Sequence, residues 1–264
     1  MLSISEIKTL PDFSNHAEII PISDAESGLE AYIAIFNHRG IFPSLGATRW
    51  WPYATSELAA TDALRLAKTM AYKAVMAETP YGGAKAVIRA TTDDPLRRSR
   101  QLRAYARAVQ SLGGQFITGT DVGVSDVDLD MLMAETSFII GKGVASAYYT
   151  SVGVFLTIEH LMREKNGESL RGKRVAIQGL GKTGEELARL LLKAGVIVYG
   201  TDISIEKCSA VKKLLPDLKV VAPGEVLSVP VDVFAPCGVG GALTPEVVRQ
   251  LTAQLVVGAA NNQL

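Results

Sequence analysis

The segment that most constrains the fold is GKRVAIQGLGKTGEELARLLLKAGVIVYGTDIS, residues 172–204. An apolar strand pattern is followed by a glycine-rich turn, a helical pattern, a second apolar strand pattern and an acidic residue. This order predicts a βαβ unit, in which a helix connects two parallel strands. Parallel strands that are joined in this way are typical of an α/β fold with helices on both faces of its sheet.

The turn of this unit has the glycine spacing of a dinucleotide-binding loop. Gly179 permits a tight turn, Gly181 lets the backbone approach a pyrophosphate, and Gly184 allows the helix to pack closely on the strand. A purely structural turn is the alternative, but the flanking strand, the helix and Asp202 at the end of the second strand favour dinucleotide binding. The predicted cofactor contacts in this unit are Gly179, Gly181, Lys182, Thr183, Gly184 and Asp202.

The acidic residue that closes the unit favours NAD over NADP. Asp202 is placed to accept hydrogen bonds from a ribose diol, and its carboxylate would repel a 2′-phosphate. No arginine follows it directly in TDISIEK to accommodate such a phosphate. Lys182 could offset part of the negative charge, so NADP stays open as the alternative cofactor.

Composition and charge argue against several classes of partner. Lys plus Arg and Asp plus Glu each total 27, and this balance argues against nucleic acid or an anionic membrane as the main partner. No apolar run approaches the roughly 20 residues of a membrane span. The N-terminal stretch MLSISEIKTLPDF lacks the pattern of a signal peptide, and two lone cysteines fit a reducing cytoplasm. The three histidines are scattered, so no metal site is predicted.

The first half of the chain shows a different succession of elements. Strands are predicted at 30–38 and 85–90, and amphipathic helices at 55–77 and 95–112. A further strand is predicted over 115–124, where it runs into a turn. The whole chain is therefore expected to be an α/β protein, with an N-terminal α/β domain followed by a Rossmann-type domain.

Two lysines lie among small and apolar residues in YKAVMAETPYGGAK, residues 72–85. Lys73 follows a helix rich in Ala and Met that leaves little room for an exposed face, and Lys85 follows glycines that permit close backbone approach. A partly buried lysine has a lowered pKa and can act as a base near neutral pH. Asp121, beside a glycine in TGTDVGV, is the candidate acid/base partner. These residues alone do not identify a reaction.

The chain resembles the amino-acid dehydrogenases that act on glutamate, leucine, phenylalanine and valine, and most of all their leucine and aromatic branch, which includes tryptophan dehydrogenases. The matching stretches follow the family order over residues 30–264 and are LGATRWWPY, DALRLAKTMAYKA, YGGAKAVI, FITGTDVG, TSVGVF, VAIQGLGKTG, TDI, VDVFAPCGVGGAL and VVGAANNQL. The resemblance implies reversible, NAD-dependent oxidative deamination of an L-amino acid to a 2-oxo acid and ammonia.

The resemblance also implies roles for single residues. Lys73 would bind the substrate α-carboxylate, and Lys85 would be the lysine of low pKa that activates water against the imino acid. Asp121 would exchange protons with the substrate nitrogen. Thr150 would lie near the nicotinamide, and Asn262 would contact cofactor or substrate near the reacting carbon.

The substrate pocket that the resemblance implies is apolar. Gly46 and Met70 would line it. Leu45 stands where glutamate-specific members carry a lysine that grips the side-chain carboxylate. A leucine offers an apolar wall instead, so an apolar or aromatic amino acid is the expected substrate.

The expected organisation is a substrate-binding, catalytic and oligomerisation domain at 1–145 and a C-terminally short NAD-binding domain at 146–264. Because EAYIAIFNH, residues 30–38, is expected to be a long apolar edge strand, a homodimer or larger homo-oligomer is predicted.

The chain stops at Leu264, where family members continue with segments that seal the cleft. Without those segments we expect a wetter site with a less perturbed Lys85. A fragment and a natural short form both stay open. The alternative function is therefore a truncated, non-catalytic nucleotide-binding homologue with a regulatory or assembly role.

Overall fold

The computed structural model describes residues 1–92, 94–167, 169–238 and 240–261. The chain divides into two compact units, Met1–Val144 and Ala145–Leu264. Each unit has its own sheet and its own apolar clusters with helices packed on them. The predicted fold class, an α/β domain followed by a Rossmann-type domain, is confirmed.

The first unit is built on a mixed sheet. Its elements are α1 (Ile4–Ile7), β1 (Glu18–Asp24), β2 (Leu29–Ile35), β3 (Ser44–Leu45), β4 (Thr48–Trp51), α2 (Ser56–Met76), β5 (Gly82–Arg89), α3 (Pro95–Ser111), β6 (Phe116–Ile117) and α4 (Asp126–Met133). The strand order is β1-β2-β5-β3-β6, with β4 also paired to β5. The pairs β1/β2 and β2/β5 are antiparallel, whereas β3 and β4 run parallel to β5.

The strand β2 is an internal strand, so the expectation that it is an exposed edge is wrong. It pairs with β1 on one side and with β5 on the other. Alternate residues, such as Ile33 and Tyr32, belong to the apolar clusters on opposite faces of the sheet. A strand that is buried on both faces is apolar at every position, and this explains the long apolar run. The edge strand on this side of the sheet is β1, which was not predicted from the sequence.

The helix α2 packs very closely on β5 because both elements are rich in small residues. Thr55 caps its N-terminus by accepting a hydrogen bond from the backbone of Leu58. A methyl group added to Gly83 would lie 2.1 Å from the backbone nitrogen of Ala71, so only glycine fits at this position. The alanine- and glycine-rich stretch around the two lysines is thus the contact between this helix and this strand.

The second unit contains the predicted βαβ unit within a parallel sheet. Its elements are α5 (Ser146–Asn166), β7 (Arg174–Gln178), α6 (Lys182–Lys193), β8 (Ile197–Thr201), α7 (Ile205–Leu214), β9 (Lys219–Val220), β10 (Val233–Pro236), α8 (Pro245–Gln250) and β11 (Leu255–Val256). The strand order is β11-β10-β7-β8-β9, and every adjacent pair is parallel. One apolar cluster includes residues of β7, α6 and α5, such as Ile177, Leu187 and Ile158.

No helix within the described ranges is both long enough and apolar enough to cross a bilayer.

Candidate active site

The buried lysine of the site is Lys85, on β5. Its neighbours Ala84 and Ala86 belong to the apolar cluster that includes α3, whereas Val87 belongs to the cluster that includes α2. Because side chains alternate along a strand, Lys85 shares the face of Val87 and lies beneath α2. The residue is only 3% exposed. Without the segments that seal the cleft in family members, we expected a wetter site around Lys85. The residues of the first unit nevertheless bury this side chain.

The partner of this lysine is Asp121, in the loop that follows β6. The Lys85 Nζ atom lies 2.9 Å from Asp121 Oδ2. The same oxygen accepts a hydrogen bond of 2.9 Å from Arg49 Nε, on β4. The predicted strand over 115–124 is shorter in the structure, since β6 ends at Ile117 and leaves Asp121 on a loop.

These contacts set the protonation of both groups. Burial lowers the pKa of Lys85 below its ordinary value, and the repulsion of Arg49 and Lys73 adds to the effect, while Asp121 opposes it in part. Burial alone would raise the pKa of Asp121, but the charges of Lys85 and Arg49 outweigh it and hold the pKa below its ordinary value. The pair thus combines a lysine that loses its proton readily with a carboxylate that stays ionised.

A second ion pair extends the site in a way that the sequence analysis missed. Arg49 Nη1 donates to Asp62 Oδ2 on α2 at 2.8 Å, and the Tyr53 hydroxyl donates to the same carboxylate oxygen. The side chains of Arg49 and Asp62 are 9% and 20% exposed. The sequence did contain a signal for these two residues, because each is a charged residue among apolar ones. Arg49 lies in TRWW, and Asp62 lies in the alanine-rich part of α2.

The loop that carries Asp121 is fixed from the opposite side by Arg98 on α3. The Arg98 guanidinium donates to Gly123 O at 2.6 Å and to both oxygens of Asp128, and it stacks 4.2 Å above the Trp50 ring. Gly123 has a φ of +80°, and an added methyl group there would lie 2.0 Å from Trp50 O. The backbone of Gly123 therefore lies directly against that of Trp50, and this contact fixes the position at which the Asp121 loop turns.

The remaining predicted substrate residues occupy different environments. Lys73 lies in the last turn of α2 and is exposed, so the expectation that it has little exposed surface is wrong. It has no ion pair among the residues described. Met70 on the same helix and Leu45 on β3 are half-buried. Gly46 is buried, and a methyl group added to it would lie 2.2 Å from Ala84 O.

The glycine-rich turn lies in the second unit, between β7 and α6. Gly179 has a φ of +99°, and a methyl group added to Gly184 would lie 1.9 Å from Gly179 O. Gly181 is the N-cap of α6, has no side-chain cap and has open space around its Cα. The backbone N–H groups of the first helical turn are therefore available to an anion such as a pyrophosphate. Lys182 is exposed and Thr183 is half-buried.

The carboxylate of Asp202 follows β8 and already accepts two backbone hydrogen bonds. Leu180 N donates to Oδ2 at 2.9 Å, and Ser204 N donates to Oδ1 at 3.0 Å. A carboxylate has about four acceptor positions, so two stay available for ribose hydroxyls. The bond from Leu180 ties the carboxylate to the glycine-rich turn. The residues present thus fit an adenine dinucleotide whose ribose carries free hydroxyls.

Two further predicted cofactor residues are Thr150 and Asn262. Thr150 lies on α5 and is exposed. Its neighbour Ser151 donates to Thr183 O at 2.8 Å, which ties this helix to the start of α6. Asn262 lies outside the described residues.

Comparisons with known proteins match both units. The family model described as Glu/Leu/Phe/Val dehydrogenase, dimerisation domain, matches residues 16–138. The model described as Glutamate/Leucine/Phenylalanine/Valine dehydrogenase matches residues 143–204.

Individual relatives match over most of the chain. L-tryptophan dehydrogenase of Nostoc punctiforme is 40% identical over 94% of this chain and 70% of its own length. Valine dehydrogenase of Streptomyces virginiae is 39% identical over 96% of this chain and 73% of its own length. The crystal structure of the Nostoc punctiforme L-tryptophan dehydrogenase superposes with a TM-score of 0.70 at 38% identity, covering 99% of this chain and 73% of that one.

Proposed function

The chain belongs to the Glu/Leu/Phe/Val family of amino-acid dehydrogenases, and from that premise we propose NAD-dependent, reversible oxidative deamination of an apolar or aromatic L-amino acid to its 2-oxo acid and ammonia. The observation that carries the proposal is the buried Lys85, which lies 2.9 Å from Asp121. A lysine whose pKa is lowered by burial is a base of the strength that this chemistry needs.

In the proposed mechanism, Lys85 acts after the amino acid has been oxidised to an imino acid. The neutral amine accepts a proton from water while the water oxygen attacks the imine carbon. This step forms a C–O bond, moves the π electrons of the C=N bond onto the nitrogen and leaves a carbinolamine. On collapse, the nitrogen takes up the proton held by Asp121 and the hydroxyl proton passes to that carboxylate. The C–N bond then breaks, ammonia leaves, and the C=O bond of the 2-oxo acid forms. The base is effective near neutral pH because burial disfavours the charged form of Lys85.

Asp121 would exchange protons with the amino group of the substrate, and Lys73 would bind its α-carboxylate. The Asp121 carboxylate exchanges protons with the substrate nitrogen, which must be neutral before oxidation and protonated before it leaves. Its lowered pKa keeps it ionised and able to accept a proton from the ammonium group. The exposed ammonium of Lys73 would bind the α-carboxylate as a point charge.

NAD, when bound, accepts a hydride from the α-carbon of the amino acid. The N-terminus of α6, where Gly181 is the N-cap and offers no side-chain cap, would hold the pyrophosphate. Asp202 would bind the adenosine ribose through its two remaining acceptor positions and would disfavour a 2′-phosphate. Thr150 and Asn262 are proposed to lie near the nicotinamide end.

The proposed substrate class follows from the half-buried Leu45, with Gly46 and Met70. An apolar wall favours an apolar or aromatic side chain and offers no partner for a carboxylate. The test is NADH formation, screened over all L-amino acids with this chain. We expect Leu, Ile, Val, Phe and Trp to exceed Glu in kcat/KM. Efficient turnover of Glu would refute the substrate class, and NADH binding without any turnover would support the non-catalytic alternative.

We also propose a cytoplasmic homo-oligomer. Cys208 and Cys237 are both free thiols, as is usual in a reducing compartment. The family model that matches the first unit is described as a dimerisation domain. The half-exposed edge strand β1 offers unpaired backbone groups that a second copy could cover. Light scattering of the purified protein tests this, and a monodisperse, active monomer would refute it.

A further inference from the structure

On one side, Arg49 contacts a single oxygen of Asp121, the proposed catalytic carboxylate. Its Nε atom and the Lys85 ammonium each lie 2.9 Å from Asp121 Oδ2. Among the described residues, the hydrogen bonds and ion pairs of the Asp121 carboxylate all involve Oδ2. Two cations on one oxygen fix the rotation of the carboxylate about the Cβ–Cγ bond. The Oδ1 atom has no hydrogen-bond partner within the part of the chain that the structure describes.

The guanidinium of Arg49 is itself held from its other side. Asp62 accepts from Nη1 at 2.8 Å, and Tyr53 donates to the same oxygen of Asp62. A guanidinium is planar and presents its N–H donors in a fixed geometry, so two carboxylates at two of its edges define its orientation. The positive charges of Arg49 and Lys85 balance the negative charges of the two aspartates, which makes their burial tolerable.

We propose that Arg49 is a positioning residue, which holds one oxygen of Asp121 against Lys85 and leaves the other oxygen for the substrate nitrogen. The inference rests on the proposed function, since it assigns a role within that same site.

The proposed role matters most when Lys85 is neutral. At that stage the lysine no longer attracts the carboxylate as a cation, and a carboxylate held by Lys85 alone would rotate or take up a proton. Arg49 stays protonated at every working pH, so its hold on Asp121 does not depend on the state of Lys85. The same permanent charge repels the ammonium form of Lys85 and favours its neutral form.

The expected pH effect has a definite sign. The charged groups that act on Lys85 are Asp121, Arg49 and Lys73. Those around Arg49 are Asp121, Asp62 and the Tyr53 hydroxyl. Loss of the Arg49 charge removes a repulsion from Lys85 and leaves Asp121 less neutralised, and both changes favour the protonated lysine. The activity that requires neutral Lys85 should therefore appear only at higher pH.

The experiment compares Arg49→Gln and Arg49→Lys with the wild-type chain by two measurements. The first is the acid limb of the pH profile of kcat/KM for amino-acid oxidation. The second is the titration of Lys85 by NMR of isotope-labelled lysine, with Lys85→Met to assign its signal. In Arg49→Gln we expect both titrations to move to higher pH, kcat to fall roughly ten- to a hundredfold, and KM to change little.

The conservative variant separates charge from geometry. Arg49→Lys keeps the positive charge, so both titrations should stay near their wild-type pH. Its single ammonium lacks the planar array that reaches both Asp121 and Asp62, so kcat should recover only in part. Unchanged titrations in a folded Arg49→Gln would overturn the proposal, because they would leave Arg49 with a structural role alone.

The matched control is Arg103→Gln on α3, which also breaks a pair between an arginine and a carboxylate but touches neither Lys85 nor the loop that carries Asp121. It should leave the Lys85 titration in place. An equal shift in Arg103→Gln and Arg49→Gln would mean that the shift does not come from the contact with Asp121, and it would refute the proposal.

Folding failure and inactivity have separate outcomes. If Arg49→Gln does not fold, the double variant Arg49→Gln/Asp62→Asn replaces it and is compared with Asp62→Asn. The double variant has no carboxylate at position 62 that would need the missing arginine as its partner. Failure of every Arg49 variant to fold, Arg49→Lys included, would overturn the positioning role. If the wild-type chain oxidises no amino acid, the proposed function fails, whereas the NMR titration still decides the role of Arg49.

Discussion

At the scale of single residues, the first unit buries an amine and places a carboxylate beside it. Lys85 is 3% exposed, and burial disfavours its charged form. Asp121 provides a negative partner for the buried lysine, and Arg49 provides a second cation for the Asp121 carboxylate. The resulting cluster can release one proton and still contain a balanced ion pair.

The sequence pointed to Lys85 and Asp121 because both follow or adjoin glycines in an apolar context, and the resemblance to a known family then suggested their roles. It gave no indication that Arg49 and Asp62 join them, since nothing local in a sequence pairs a residue of β4 with one of α2. It also misjudged Lys73, which is exposed although its helix is rich in Ala and Met. Composition describes the helix as a whole, whereas exposure depends on which face packs on the sheet.

Lys73→Ala should mainly raise KM for the amino acid, roughly tenfold or more, with a smaller change in kcat. The reason is that a carboxylate contact exists in both the ground state and the transition state. Initial rates over a range of substrate concentrations measure both constants. Lys68→Ala, on the same helix, is the control and should leave both unchanged. A large loss of kcat at unchanged KM would assign Lys73 a different role.

Asp202→Ala should weaken NADH binding roughly ten- to a hundredfold, as expected for lost hydrogen bonds to a charged group. NADPH binding should weaken less, because the same change removes a repulsion, so the gap between the two cofactors should narrow. Fluorescence titration with each reduced cofactor measures the Kd values, and exposed Asp217→Ala serves as the control. Tighter binding of NADPH than NADH by the wild-type chain would contradict the NAD assignment.

At the scale of elements, the contact of α2 with β5 carries the site. Close packing of small residues brings the helix that bears Asp62 and Lys73 over the strand that bears Lys85. The sequence predicted both elements because their periodicity is local. It mistook β2 for an edge because an apolar run does not reveal whether its neighbours are strands or solvent.

Gly83→Ala should damage both stability and activity. The added methyl group would lie 2.1 Å from the backbone of Ala71, so the helix and the strand must separate. We expect a loss of about 1–3 kcal/mol in the free energy of unfolding and a roughly tenfold or larger loss of kcat. Gly153→Ala in α5 meets nothing within 4 Å and should gain about 1 kcal/mol. Denaturant unfolding distinguishes them, and equal effects would contradict the packing argument.

Asp128→Asn tests the start of α4 and has a defined pH dependence. Burial raises the pKa of Asp128, but hydrogen bonds from Arg98 and Ser125 outweigh it and lower the pKa below its ordinary value. Its contribution is therefore full above the unfolded pKa of about 3.9 and is lost as the pH falls through the folded value. The variant should be about 2 kcal/mol less stable at neutral pH. Denaturant unfolding in acid should show the difference closing, and a constant difference would refute this account.

At the scale of the whole molecule, the chain combines a unit that contains a buried lysine and a unit that contains a glycine-rich turn between a strand and a helix. The second unit was predictable from its sequence because strand, turn, helix and acidic residue follow one another within the 33-residue segment 172–204. The site of the first unit joins β4, α2, β5 and the loop after β6, which are distant in sequence. The sequence suggested that Lys85 and Asp121 act together, whereas the contacts of Arg49 and Asp62 became visible only in the fold.

The most direct test of the account is the turnover of Lys85→Ala compared with the wild-type chain, using the amino acid that the wild type oxidises best. The account predicts that kcat falls on the order of a hundredfold or more, as expected for a lost acid/base group. NADH binding should be unchanged, because the proposed dinucleotide contacts lie in the other unit. Near-normal kcat in a folded Lys85→Ala would contradict the central claim that this lysine is the base.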